Sequence, residues 1–267
     1  MNIGGIIPIR LASERLPGKA LMEICGRPVV YHLLDRVVSS HHIVDPAHVV
    51  VCTTEEASDD PLERAVKDYG CSVFRSHTDD IIRRFGDAIA AFKFDAVIQA
   101  DGDDPLSAAE YMDLTMDRLL SDTELDIVTS EGLPLGCNVK SFTRGAMEKV
   151  LAAYRSRKND TGFADFFTKT GLCTHDVVHP VSAAHVQDTA RLTLDYDVDF
   201  ALFRAIFEAL YEDGEVFSLA DAVTFLNANE DLVQSNLGVE EEYWLRHGEK
   251  SVLHYAAEDG TIKKIDG

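Results

Sequence analysis

The sequence predicts an α/β fold built on a mainly parallel sheet with helices on both faces. Two observations carry this: short apolar runs recur along the first half of the chain, and segments with helical spacing separate them. A third is that charged or Gly/Pro-containing loops follow the apolar runs, as at the carboxyl edge of such a sheet.

Ile3 to Ile9 reads as the first core strand, and Pro28 to Ser39 as a helix through Val29, Leu33, Leu34 and Val37. Further strands are expected at Val49 to Thr53, Ser72 to Phe74, Ala96 to Ala100 and Asp126 to Thr129, with helices near 61–69, 80–92 and 107–119 between them. After Ser130 the rhythm changes. A turn with Gly132, Pro134 and Gly136 leads to a strand at Asn138 to Phe142 and a helix near 144–155. Residues 131–190 are expected to form a small α/β insertion over the sheet's carboxyl edge, contributing an acceptor and dimer surface. The chain then returns through a strand at Arg191 to Leu194 and helices at Val198 to Leu210 and Ser218 to Ala228. Residues 229–267 form a C-terminal cap with an Asp259-Gly260 hairpin signal, and Tyr243 and Trp244 read as packing or oligomer contacts.

The 267 residues, 46% of them hydrophobic, suit one domain with a single catalytic core. The apolar N-terminus lacks the flanks of a signal peptide, and no run reaches the ~18–20 apolar residues of a membrane helix, so a cytoplasmic protein without membrane contact is expected. Five scattered cysteines offer neither a disulfide framework nor a zinc motif. A net charge of −21 argues against a nucleic-acid partner. His41-His42 follows a helix and reads as a charge complement to its C-terminus. No histidine has metal-ligand spacing in the sequence.

Against that acidity, residues 10–19 stand out with Arg10, Arg15 and Lys19 opposed by Glu14 alone. Cations on a loop after a parallel strand suit a triphosphate, although the P-loop pattern GxxxxGK[ST] is absent. A second cluster, Asp101, Asp103 and Asp104, follows the Ala96 to Ala100 strand. A later strand ends in Asp195 and Asp197. Mg²⁺ binds through one or two carboxylates and otherwise keeps water and phosphate ligands, so Asp103 and Asp195 are the expected pair.

The segment IPIRLASERLPGKAL, residues 7–21, resembles the first motif of the CMP-sugar-acid synthetases, especially those activating Kdo, and of the related spore-coat polysaccharide cytidylyltransferases. Val50 to Thr54 with Asp59-Asp60, Asp80 to Phe85, Gly102 to Pro105 and Arg191 to Asp199 are similar to later segments of the same superfamily. The resemblance implies a GT-A-like, Rossmann-related cytidylyltransferase, active as a homodimer, that couples CTP to a small anionic acceptor, a sugar acid, and releases pyrophosphate. It implies that Arg10, Lys19 and Asp103 are catalytic, that Ile9, Leu11, Ser13, Arg15, Arg84 and Asp101 join Arg10 and Lys19 around the nucleotide, and that Asp103 and Asp195 hold Mg²⁺. Where the spore-coat branch carries P-x-G-x-D-x-E, this chain has Asn138 and Lys140. With Arg191 these form the expected acceptor site, which also admits a phosphonate- or phosphate-bearing acceptor. Asn159 to Phe163 and Phe166-Phe167 replace a charged motif of that branch and read as the core of a helical hairpin, with a lid over the acceptor as the alternative. A GT-A glycosyltransferase using a nucleotide sugar is the reading from another class.

Overall fold

A computed structural model describes residues 1–156, 162–239, 253–257 and 260–265. Asn159 to Thr161, Tyr243, Trp244 and Asp259 lie outside the described residues.

The first half alternates as expected: β1 (Ile3–Pro8), a two-residue hairpin of β2 (Glu23–Ile24) and β3 (Arg27–Pro28), α1 (Val29–Val38), β4 (Val49–Thr54), α2 (Asp60–Tyr69), β5 (Ser72–Ser76), α3 (Ile81–Phe92), β6 (Ala96–Gln99) and α4 (Ala109–Leu120). Local chemistry sets several of these ends. Asp80 caps α3 by accepting from the Arg83 N–H at 3.1 Å, and Gly70, at φ 103°, closes α2 in the left-handed conformation.

The second half comprises β7 (Ile127–Ser130), β8 (Lys140–Thr143), α5 (Arg144–Ala153), α6 (Asp165–Thr168), β9 (His175–Val178), α7 (Asp197–Leu210), α8 (Leu219–Ala228), α9 (Glu230–Leu237) and the hairpin of β10 (Leu253–Ala256) and β11 (Ile262–Ile265). Seven strands form one sheet in the order β5-β4-β1-β6-β8-β7-β9. Every pairing is parallel except those of β8, which runs antiparallel between β6 and β7 and places Ser141 opposite both Ile98 and Val128.

Residues 131–190 therefore do not lie over the sheet as an insertion; their strands β8 and β9 are part of it. Ser141 and Phe142, on opposite faces of β8, are fully buried, so both faces of this strand are covered. The expected strand at Arg191 to Leu194 is instead an extended segment joined by one parallel bridge to Leu135, with Leu192 N–H donating to the Leu135 carbonyl at 2.7 Å.

Side chains alternate across the sheet with the period of two that strands impose. Ile7, Val49 and Val51 pack against Leu33, Leu34 and Val37 of α1 and Phe203 and Ile206 of α7. Ile6, Val50 and Cys52 face Phe85 of α3, Val150 of α5 and Phe166 of α6. Leu253 and Tyr255 of the C-terminal hairpin bury on that second face, and Tyr255 bridges to Tyr154 at the end of α5.

Candidate active site

The carboxyl ends of β1 and β6 are neighbours in the sheet, so the loops that follow them meet. Between them lies a cleft of about 460 Å³. From the first loop Ile9, Arg10, Ser13, Arg15 and Lys19 line it, and from the second Asp101 and Asp103. Lys140, Phe163 and Asp195 close the other walls.

The first loop is wound on itself. Ser13 and Gly18 N–H groups both donate to the Leu11 carbonyl, at 2.8 and 3.0 Å, and Leu16 N–H reaches Ser13 Oγ at 3.3 Å. Gly18 has φ 71°, a conformation that glycine adopts without a Cβ penalty, and it leads directly into the single turn that carries Lys19. The second loop presses close to β1: a Cβ on Gly102 would stand 2.1 Å from the Pro8 carbonyl oxygen. Only glycine lets Asp101 and Asp103 approach the first loop this closely.

Lys19 is the hub. Its Nζ donates to Asp103 Oδ2 at 3.2 Å, to Asp195 Oδ1 at 2.9 Å and to the Leu194 carbonyl. Leu194 N–H in turn donates to the Asp103 carbonyl at 2.7 Å, so the two acidic motifs are tied together through backbone as well as through lysine. Burial alone would lower the Lys19 pKa, but the Asp103 and Asp195 carboxylates overcome it and raise it, keeping the ammonium charged. Loss of solvent would raise the Asp103 pKa, and the nearby Lys19 ammonium outweighs this and lowers it. Asp104 behaves oppositely: burial, then Asp103 and Asp101, push its carboxyl well above the ordinary range. Arg15 donates to Asp195 Oδ1 and lies over the Tyr196 ring, 5.2 Å from its centroid.

The donor set fits a hard divalent cation. Asp195 Oδ2 is buried with no hydrogen-bond partner among the described residues, so Asp195 keeps an acceptor that the surrounding chain does not satisfy, and the Asp103 carboxylate stands on the other side of the same Lys19 ammonium.

Four expected site residues stand elsewhere or are occupied otherwise. Arg191 does not reach the cleft: it is fully buried, with Nη2 on Asp199 Oδ2 at 2.6 Å and Nη1 on the Thr193 carbonyl at 3.0 Å. Asp199 Oδ2 also accepts the Asp195 and Tyr196 N–H groups, so Arg191 acts through Asp199 to orient Asp195. Asn138 lies off the cleft near Ser130 Oγ, at 3.5 Å. Leu11 is held from behind, its N–H donating to Asp59 Oδ1 at 2.8 Å. Arg84 does line the cleft, but it is buried and its donors go to the carbonyls of His77, Thr78 and Cys52, so it holds the loop before α3.

Lys140, by contrast, points into the site. Its Nζ sits 3.0 Å from Asp101 Oδ2 and 5.6 Å from the Phe163 ring centroid, and Gln99 Nε2 holds the other Asp101 oxygen at 2.9 Å. Phe163 packs against Phe85 and Phe167, the hairpin-core reading, while also lining the cleft.

Asp59 and Asp199 are the residues that motif reading passed over, although both belong to segments that carried the resemblance. For Asp199 the signal was a carboxylate in the first turn of a helix, where it accepts backbone N–H groups; Asp59 stands at the head of α2 but makes no bond to that helix, and its acceptors serve the Leu11 loop and Thr53-Thr54 instead. Burial would raise the Asp59 pKa, but hydrogen bonds from Thr54 Oγ1, Leu11 N–H and Thr53 Oγ1 outweigh it and hold it below the ordinary range. A depressed carboxyl stabilises fully above its unfolded pKa of about 4, and that contribution is lost as pH falls through the lower folded value. Asp59→Asn should therefore cost about 2 kcal/mol at pH 7, with the gap from wild type narrowing below about pH 4. Denaturant titrations at pH 7 and pH 3 measure both; a gap equally wide at the two would contradict the assignment.

A sequence profile described as "Cytidylyltransferase" matches residues 5–160. The spore coat polysaccharide biosynthesis protein SpsF of Bacillus subtilis is 26% identical over 232 residues, covering 85% of this chain and 94% of that one. A 3-deoxy-manno-octulosonate cytidylyltransferase of Pelobacter propionicus is 33% identical over 131 residues, about half of each chain at 48% and 49%. A solved cytidylyltransferase from Leptospira borgpetersenii superposes with TM-score 0.78 at 26% identity, covering 88% of this chain and 97% of its own. The profile match runs from β1 through the basic loop and the Asp101 to Asp104 loop to the end of α5. The elements that form most of the cleft are thus the ones shared, and the chain belongs to the cytidylyltransferase family.

Proposed function

We propose that this nucleotidyltransferase transfers CMP from CTP to a small acidic acceptor, a sugar acid, releasing pyrophosphate with Mg²⁺ as cofactor. The observation that supports it best is the Lys19 hub, which joins a three-cation loop and two carboxylates in one cleft. Arg10, Arg15 and Lys19 supply the positive charge a triphosphate requires, more than a diphosphate sugar does, which together with family membership favours CTP over the glycosyltransferase reading. An acceptor oxygen attacks the α-phosphorus, and the bond to the β-phosphate oxygen breaks. Catalysis on this reading is positioning and charge neutralisation. Asp103 and Asp195 would hold Mg²⁺, which when bound neutralises and orients phosphate oxygens.

The acceptor side rests on Lys140, the ammonium that shares the cleft with Asp101 and the Phe163 ring. An acceptor carboxylate would compete with Asp101 for it, and a phosphonate or phosphate group would do so as well. The named activity of the Pelobacter relative and the polysaccharide role in the SpsF name favour the sugar acid. Lys140→Glu should raise the acceptor KM by about tenfold or more, leaving the KM for CTP within a factor of two or so. Steady-state kinetics with Kdo, sialic-type acids, aminoethylphosphonate and sugar 1-phosphates measure it. An unchanged acceptor KM and preference would remove Lys140 from the acceptor site.

A further inference from the structure

The fold builds a second group of metal-type ligands away from the cleft. His41 and His42 follow the end of α1, and α4 brings up Asp113 and Asp117, one turn apart on one face. His41 Nδ1 lies 2.9 Å from Asp113 Oδ2, and His42 Nε2 lies 2.9 Å from Asp117 Oδ1. Among the described residues, His41, His42 and Asp113 are the one set of three or more such side chains whose ligand atoms all fall within 4.8 Å of one another.

We propose that His41, His42 and Asp113, with Asp117 beside them, form a binding site for a borderline divalent cation of the zinc class, which clamps α1 to α4. Two imidazoles with carboxylates are a donor set suited to Zn²⁺, whereas Mg²⁺ takes oxygen ligands. Tetrahedral zinc with bonds of 2.0–2.2 Å sets its ligand atoms about 3.3 Å apart, so the 2.9 Å His41–Asp113 pair needs to open by a few tenths of an ångström, while the other atoms of the set, all within 4.8 Å of one another, draw in around the ion.

The outer shell is in place without the ion. Ser40 Oγ donates to Asp113 Oδ1 at 2.6 Å and the His41 N–H donates to the same oxygen at 3.1 Å, which leaves Oδ2 turned to the imidazole. Ser40 is buried and its Oγ also accepts the His42 N–H at 3.3 Å, so one hydroxyl orients both the loop and the carboxylate. The His42 side chain is only 11% exposed and its ring lies 4.1 Å from that of His41, which limits the freedom lost on binding. Two neutral imidazoles and two carboxylates balance the charge of a divalent cation.

The plainer account is that these are three His–Asp ion pairs at the surface, and the sequence spacing of the histidines alone supports nothing more. Calorimetric titration of chelator-treated, tag-free full chain with Zn²⁺, in excess Mg²⁺ to saturate oxygen-only sites, separates the two. The expected result is one equivalent bound, with affinity falling about tenfold or more in both His42→Gln and His41→Ala/His42→Ala, and unchanged in Cys25→Ser. Cys25 is the exposed thiol that would otherwise compete. Cobalt substitution should show tetrahedral visible absorption that His42→Gln loses. No saturable binding, binding that survives the double replacement, or binding lost in Cys25→Ser would each overturn the proposal.

Discussion

Lys19→Ala is expected to lower kcat for pyrophosphate release about 10²–10³-fold, the range found when one preorganised donor is removed from a developing charge. The size follows from its position. Lys19 is the contact shared by Asp103, Asp195 and the Leu194 carbonyl, and its charge also holds Asp103 ionised. Without it two acidic motifs face each other across the cleft with less positive charge between them. Lys19→Arg should recover only part of the loss, because a planar fork cannot occupy the place of a compact ammonium with three donors. Circular dichroism and a thermal scan would confirm that each variant folds. A kcat within threefold of wild type in folded Lys19→Ala would remove Lys19 from the catalytic machinery.

The second large effect concerns stability. Asp199→Asn should destabilise the protein by about 3–5 kcal/mol, a fall in midpoint of roughly 10 °C, because it strands a buried guanidinium. Arg191 and Asp199 side chains are 1% and 0% exposed, and Asn236 Nδ2 bonds both the Arg191 carbonyl, at 2.7 Å, and Asp199 Oδ1, at 3.3 Å. The pair is buried from solvent, so the charge left behind when one partner is removed loses its main compensation. Arg191→Met should cost a similar amount, whereas Arg191→Met/Asp199→Leu should cost less than either, since a buried pair removed as a unit is often close to neutral. Thermal scans of the three decide. If Arg191→Met instead retained the wild-type midpoint and raised only the acceptor KM, Arg191 would be an acceptor ligand and not a support for Asp195.

That case shows where sequence reading reaches and where it stops. The strands β1, β4 and β6 are legible because they are buried on both faces and so read as continuous apolar runs. The basic loop and the Asp101 to Asp104 cluster are legible for an electrostatic reason: cations concentrated in a chain of net charge −21, and carboxylates at the end of a buried strand, need explaining. The antiparallel insertion of β8 between β6 and β7 is not legible, because alternation shows that a strand exists but not which strands flank it. Arg191 and Arg84 looked like ligand residues because arginine in a motif reads the same whether its fork meets a phosphate or a backbone carbonyl. Only the fold decides, and it turns one onto Asp199 and the other onto the loop before α3. Lys140 is the converse case, a lysine that a strand pattern could have sent to solvent and that the register of β8 places over Asp101.

The most direct test is pyrophosphate release by wild type and Asp103→Asn with Mg²⁺, each of the four NTPs in turn, and an acceptor panel headed by Kdo and sialic-type acids. Release with CTP and at least one acidic acceptor, weak or absent with the other nucleotides and lost in Asp103→Asn, is the predicted result. Release that prefers another NTP, or that persists undiminished in Asp103→Asn, would contradict a CTP-dependent transfer at the Lys19–Asp103–Asp195 cleft.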